Sequence, residues 1–386
     1  MPTLASEYQS QFEKDHPSIE LSLDPQSPMI DPGTQRVSYL RRLVTFALTL
    51  GIIIATFDVL SKGEHFFVPL VMAVLAVYLV DILSRLIRKI PLAGHAVPNA
   101  ISVILAFGII FGLGFVLIEI VGENARHVAA AAPKYQARLQ QLQVEVFSRV
   151  GIEEPPELRQ LVKEIDLRSV FTAVAKQVAG VLEDVTLIVI YGLFIMLERR
   201  FIPIKLEALF PDLNRRKNAI RIIRRVDHDI HTYLGVKTAV SFTSALLSYI
   251  LMRIVGLDFA EFWALLIFVL HFIPTIGVIV ATLLPTLLAA VQFDDLRPFL
   301  VIGIGITAIA QLMGNVVEPN VMGETLNLSP LTVIISLIVW GSIWGIVGAF
   351  LCVPLTVILV IILSNFRSTR WVSILLSKTG QIRSSD

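Results

Sequence analysis

The chain has 386 residues, of which 55% are hydrophobic and 16% charged, with a formal net charge of +1 and a mean hydropathy of +0.75. A soluble domain of this length would be nearer a quarter charged, so the composition excludes an ordinary soluble globular protein, and the balanced charge gives no basis for nucleic-acid binding. The single cysteine, Cys352, lies in an apolar run, which excludes an intramolecular disulfide and reads as a buried structural thiol.

Residues 1–35 are polar and acidic, with Pro2, Pro17, Pro25, Pro28 and Pro32, and hold no apolar core of a signal peptide. They read as a disordered cytoplasmic tail. Residues 36–121 then carry three membrane spans, about Leu43 to Leu60, Phe66 to Ile87 and Pro98 to Val121. Arg41 and Arg42 precede the first, and Arg85, Arg88 and Lys89 close the second, so both ends of this pair are expected in the cytoplasm. Asp81 and Arg85 are spaced for an i,i+4 ion pair. Gly108 and Gly112, like Gly341 and Gly345, have the spacing of small residues at a helix contact and are expected to serve packing within one subunit.

Residues 122–177 form the one sizeable insertion outside the spans. Tyr135, Leu139, Leu142, Val146 and Val150 mark one apolar helical face; Leu158, Leu161 and Ile165, after Pro155-Pro156, mark a second. An external helical domain is expected. Residues 178–197 hold span 4. The segment 198–233 is strongly basic, with Arg199, Arg200, Lys205, Arg215, Arg216, Lys217, Arg221, Arg224 and Arg225, and reads as cytoplasmic. An apolar stripe, Ile220, Ile223, Val226, Ile230 and Tyr233, fits a helix lying on the inner membrane surface. His228 and His231 stand beside Asp227 and Asp229, but on a solvated charged helix with no further ligands in view; no metal is expected.

Residues 234–366 are the C-terminal membrane core. Span 5 runs from Leu234 to about Val255, and a single span covers Pro298 to Met313. Two longer apolar blocks flank the latter. The first, 259–293, is interrupted at Pro274, Gly277 and Pro285; the second, 331–363, at Gly341, Gly345, Gly348 and Pro354. Each is either one broken helix or a helical hairpin, the kind of element that exposes helix ends to a transported ligand. Residues 367–386 return to the cytoplasm as a basic tail. The expected fold is thus all-α, a polytopic helical membrane protein of about eight spans with a small external helical domain.

Between the two blocks, residues 311–330 combine Gln311, Asn315, Glu318, Asn320 and Glu324 with the helix breakers Pro319, Gly323 and Pro330. Freed backbone groups at membrane depth are tolerated only inside protein or along a wet cavity, and ionisable residues there point to function. These five polar residues are the candidate substrate or ion ligands. Asn315 and Glu318 are three apart and are expected to share a helix face, with Glu318 loading and releasing a coupling proton. Pro274, Gly277, Pro319, Gly323, Pro330, Gly341 and Gly345 are the candidate breaks or hinges. His271, just before Pro274, is a candidate proton relay. No P-loop, His-Glu-x-x-His or Gly-x-Ser-x-Gly motif is present, so neither ATP-driven transport by this chain alone nor an enzyme is expected, and no cofactor is implied.

Gln311, Asn315, Pro319, Gly323, Leu328-Ser329-Pro330, Trp340-Gly341, Trp344-Gly345 and Pro354 resemble the C-terminal signature of the AI-2E (autoinducer-2 exporter) transporter family. Phe272 to Gly277 resembles that family's earlier Ile-Pro-x-x-Gly motif, with Val278 where the pattern often has proline. The resemblance spans roughly residues 36 to 366. It implies a multi-pass transporter of the bacterial inner membrane, a homo-oligomer, that exports autoinducer-2 or another small polar metabolite. Together with an acid expected at membrane depth, the reading is secondary transport coupled to protons or sodium. A sodium/proton antiporter and a non-transporting membrane scaffold are the alternatives.

Overall fold

A computed structural model describes residues 32–92, 95–116, 119, 185–323 and 326–380. The expected external domain at 122–177, the start of span 4, Glu324, residues 1–31 of the N-terminal tail and residues 381–386 of the C-terminal tail lie outside the described residues. The chain divides into two compact units, residues 1–59 and 60–386. The first is represented by helix α1 (Pro32–Lys62), which continues into the second unit. Within α1 the hydroxyls of Thr45, Thr49 and Thr56 donate to the carbonyls four residues earlier, which satisfies them in an apolar helix.

The second unit is nearly all helical. Helix α2 (Glu64–Arg88) is followed by a two-residue antiparallel pair, Pro91–Leu92 with His95–Ala96, and by α3 (Asn99–Val116). Then come α4 (Val185–Glu198), a short 3-10 turn (Arg199–Phe201), α5 (Ile202–Leu209) and α6 (Leu213–Val255). The C-terminal half holds α7 (Ala260–Leu270), α8 (Ile276–Gln292), α9 (Leu296–Leu312), α10 (Glu318–Met322), α11 (Pro330–Ser364) and α12 (Arg370–Leu376). Six helices among the described residues are long and apolar enough to cross a membrane, and α7 and α8 are shorter apolar helices. The expected polytopic helical architecture is therefore present.

Helix α6 differs from the expected pair of elements. The basic segment and span 5 are one continuous helix of 43 residues, about 65 Å long at 1.5 Å per residue. Its start is set by Asp212, whose carboxylate accepts the Arg215 backbone N–H at 2.8 Å. It ends at Gly256, whose left-handed φ of 82° lets its N–H return to Met252 and Arg253. The end of the apolar stripe, Ile230 and Tyr233, is buried against Leu75, Leu234 and Trp344 rather than held for a membrane surface.

Both long apolar blocks are hairpins. In the first, Gln292 at the end of α8 accepts the Asp258 N–H at 2.8 Å and donates to the Gly256 carbonyl at 2.9 Å, so the block ends where it begins. Its tip is residues 271–275. There Ile276 N–H reaches the Pro274 carbonyl around Thr275, at φ 60° and ψ −65°, the rare and strained form of the γ-turn. Pro285 does not interrupt α8, contrary to expectation; nearby, the Thr286 hydroxyl donates to the Thr282 carbonyl. In the second block the break falls at Trp344 and Gly345, the latter at φ 57°. Trp340 Nε1 donates to Thr356 Oγ1 at 3.1 Å, whereas sixteen residues of straight helix would separate them by about 24 Å. Pro354 lies within a continuous second arm.

Each hairpin closes on a glycine. A Cβ on Gly277 would lie 1.8 Å from the Leu270 carbonyl oxygen, and one on Gly348 would lie 1.9 Å from that of Trp340. Gly341, by contrast, would make an ordinary 3.9 Å contact with Ala349. Gly108 and Gly112 would meet nothing within 4 Å among the described residues, so the packing expected of them within one subunit is not seen there. The two tips meet: Phe272 stacks on Phe350 with ring centroids 4.7 Å apart, and Ile273 joins Ile343, Trp344 and Leu351 in one core. A second core joins the C-terminal part of α6 to α7, α8 and α9 through Met252, Phe262, Trp263, Ile267, Leu288 and Ile302.

Candidate functional site

Helix α9 ends in a π-helical turn, Met313–Val317, in which the Glu318 N–H reaches back five residues to the Met313 carbonyl. One residue more per turn rotates the succeeding side chains by about 100° relative to a regular α-helix, and such turns concentrate at functional sites. The turn separates residues expected on one face. Asn315 is exposed and donates to the Gln311 side chain, also exposed. Glu318 faces inward instead. Asn320 is exposed as well, and Pro319 sits in the first turn of α10. Gly323 ends α10 with φ 60°, its N–H returning to the Pro319 carbonyl at 2.9 Å. Of the polar cluster, the structure thus brings Gln311 to Asn315 but neither of them to Glu318.

The partner of Glu318 is Lys237. Its Nζ lies 2.9 Å from both carboxylate oxygens, and the two side chains are only 10% and 18% exposed. Lys237 sits midway along α6, between the two apolar cores, so a helix of the membrane core supplies the counter-charge to an acid 81 residues later. Sequence reasoning did not single out Lys237. The signal was available: it is the one charged residue between Tyr233 and Met252, and an ionisable side chain inside a span calls for a partner.

Around this pair lie further polar groups. His271 is 1% exposed at the tip of the first hairpin, and neither ring nitrogen has a hydrogen-bond partner among the described residues. It lies within electrostatic reach of Lys237, as Tyr233 does of Glu318. The loop entering the second hairpin is fixed from outside. Ser329 caps α11 by accepting the Thr332 N–H, and the C-terminal segment pairs with it through Ser329 N–H to Leu376 O and Lys378 N–H to Asn327 O, each 3.0 Å.

A second charged cluster ties α2, the 3-10 turn after α4, and α6 at one end. Asp81 pairs with Arg199 and stands 3.7 Å from His231 Nε2; His231 Nδ1 lies 2.8 Å from the Asp227 carbonyl. Arg85 bonds His231 Nε2 at 3.2 Å, so the expected Asp81–Arg85 pair is replaced by contacts across helices. A hydrogen-bonded partner on a packed neighbour outcompetes an exposed i,i+4 partner, whose interaction is worth only about 0.3–0.5 kcal/mol. The arrangement joins the basic end of α2 to the basic start of α6. Among the described residues no three His, Cys, Asp or Glu side chains are grouped to hold a metal ion.

Comparison with known proteins gives a consistent result. The profile of the AI-2E family transporter matches residues 43–368. The chain is 28% identical over 338 residues to the AI-2 transport protein TqsA of Escherichia coli strain K12, covering 86% of this chain and 94% of TqsA. It is 29% identical over 308 residues to a protein of Haemophilus influenzae, covering 76% of this chain and 86% of that protein. YhhT of Escherichia coli strain K12 is 25% identical over 311 residues, covering 78% of this chain and 86% of YhhT.

Proposed function

Because the chain belongs to the AI-2E transporter family, and is with it a multi-pass membrane transporter, we propose that it exports a small polar solute across the bacterial inner membrane, driven by a proton or sodium gradient. The Lys237–Glu318 pair carries this reading: it is a largely buried ion pair held between a long helix and the end of a π-turn, beside two hairpins whose tips meet. Taking charges out of water is costly, and their mutual attraction repays that cost only with good geometry. An added proton or a competing cation weakens the pair and releases α10 from α6. That gives an ion a differential affinity for two arrangements, which any coupling requires. The shorter hairpin arm, α7, has 11 residues, about 16 Å, too short for a hydrocarbon core of about 30 Å. It enters and returns, and brings Pro274, Gly277 and His271 to mid-membrane depth.

Autoinducer-2 is the first probe solute, since TqsA is named for its transport. Purified protein in liposomes loaded with it is expected to accelerate its release under an imposed proton or sodium gradient. Equal release with and without either gradient would sink the coupled mechanism. Proton movement driven by sodium with no solute present would instead assign sodium/proton antiport. The homo-oligomer implied by the resemblance is measured by light scattering in mild detergent, where a monomeric mass counts against it.

Topology has its own test. In this reading the Arg199 to Tyr233 segment and both termini are cytoplasmic, and residues 122–177 are external. After Cys352→Ala removes the one cysteine, a cysteine placed at Gln143 is expected to react with an impermeant thiol reagent added to whole cells, and one at Asn218 is not. Labelling at Asn218 alone would invert the arrangement.

A further inference from the structure

We propose that a row of buried hydroxyls on α6 is a hydrated proton path ending on the Lys237–Glu318 pair; the proposal rests on the reading of Glu318 as the coupling charge and names the proton as the ion. Ser241, Ser244 and Ser248 are 0%, 1% and 0% exposed. Their hydroxyls have no hydrogen-bond partner among the described residues, and neither does that of Tyr233. Serine and threonine in a helix ordinarily donate to a carbonyl one turn back. Elsewhere in this chain they do so: Thr243 to Ala239, Thr282 to Val278, Thr307 to Gly303 and Ser342 to Ile338. The three serines of α6 depart from that habit, as does Thr238 beside Lys237, whereas Ser102, equally buried, donates to the Pro98 carbonyl.

Their spacing is regular. Tyr233, Lys237, Ser241, Ser244 and Ser248 succeed one another at intervals of 4, 4, 3 and 4 residues, which is one face of the helix. From Ser248 to Lys237 the row extends about 16 Å along the axis, about half the thickness of a hydrocarbon core. Successive rungs rise about 4.5–6 Å, close to two hydrogen bonds of about 2.8 Å laid end to end. One water between successive rungs would complete the polar group on either side, and a buried polar group ordinarily has such a partner, in protein or in ordered water. His271, equally buried and with both ring nitrogens unpartnered, is a second, independent group calling for the same solvent near the Lys237 end.

The chemistry favours protons over sodium. A sodium ion wants several oxygens, but both Glu318 oxygens already accept from the Lys237 ammonium, whose charge repels a cation. A proton needs only one oxygen. Each water or hydroxyl accepts one proton and passes on another, so every oxygen of the row ends unchanged. The last proton converts the Glu318 carboxylate to the acid, and Lys237 keeps its own charge while losing its counter-ion. Release toward the other side regenerates the carboxylate and the pair.

Hydroxyl-radical footprinting by X-ray radiolysis of the full chain in nanodiscs tests the path, because bound water is itself the radical source. Tyr233 at one end of the row and Met252, four residues beyond Ser248, are 3% and 0% exposed and are expected to be oxidised readily, whereas Phe262 on α7, 1% exposed and off the row, is not. The Ser241→Ala, Ser244→Ala, Ser248→Ala triple variant, which keeps the packing to within one atom per site, is expected to lower both rates several-fold; Ser342→Ala is not. Equal rates in the triple variant and the wild type overturn the path, as does wild-type oxidation of Tyr233 and Met252 no faster than that of Phe262 after correction for intrinsic reactivity. The single Ser244→Ala variant repeats the comparison should the triple fail to insert. In liposomes carrying a pH dye, the triple variant is expected to lose most gradient-driven proton flux. Loss in Glu318→Gln with full flux in the serine variant removes the path but leaves the coupling role. Full flux in Glu318→Gln removes the coupling role itself, and sodium uptake lost in the serine variant at full proton flux assigns the row to sodium instead.

Discussion

Lys237→Met is expected to destabilise the protein by about 3–5 kcal/mol, because it leaves the Glu318 carboxylate largely buried without its counter-charge. The double variant Lys237→Met, Glu318→Leu removes both charges, and apolar replacement of a buried pair is often neutral or stabilising. It is therefore expected to recover most of the stability while remaining inactive in gradient-driven transport. Glu318→Gln keeps an acceptor for the ammonium but cannot ionise; it is expected to insert, to retain most of the fold and to lose coupled transport. Glu318→Asp keeps the charge on a shorter arm and retains some activity with a changed pH profile. Thermal unfolding in detergent and liposome transport read the two effects separately. Wild-type transport by Glu318→Gln with unchanged pH dependence would make the pair a structural device at a helix break.

Gly277→Ala and Gly348→Ala are the second pair of large effects. The added methyl carbon would stand 1.8 Å from the Leu270 carbonyl oxygen in one hairpin and 1.9 Å from that of Trp340 in the other, and backbone cannot step aside as a flexible side chain can. Overpacking a well-ordered core usually costs about 1–3 kcal/mol, and a backbone obstacle places both variants at the upper end or beyond. Each is expected to lower the unfolding midpoint and to remove transport, since the tips that carry His271 and Trp344 move apart. Gly108→Ala is the matching control: this chain offers its methyl nothing within 4 Å among the described residues. The double variant Pro274→Ala, Gly277→Ala is expected to reach the membrane and transport poorly; wild-type turnover by it would remove the first hairpin from the mechanism.

The class of this protein was legible in its sequence because apolar run length is a local property. Spans near Phe66 to Ile87 and Pro98 to Val121, the breaks at Pro274 to Gly277 and at Gly345, and the family signature were all read from neighbouring residues. Proline was a weaker guide. Pro285 and Pro354 lie inside continuous helices, since a packed helix can tolerate one lost hydrogen bond. The polar stretch 311–330 stands out in the sequence, but its internal geometry is not legible there. A π-turn of five residues sends Asn315 outward to Gln311 and turns Glu318 inward, and residue spacing alone assumes a constant 3.6 residues per turn.

Relations between residues far apart in the chain were legible only in the packed helices. Whether an apolar block is one bent helix or a hairpin depends on what its two ends touch, and Gln292 on Gly256 and Trp340 on Thr356 answer that. Which partner neutralises Glu318 depends on how α6 packs against α10. Lys237, 81 residues earlier, is placed there by the apolar faces on either side of it, not by any pattern around it. The order of residues along the chain required that polar and charged groups lie within an apolar fold. Coulombic attraction and the cost of burying an unpaired charge required that they meet, and the packing of distant helices selected which ones.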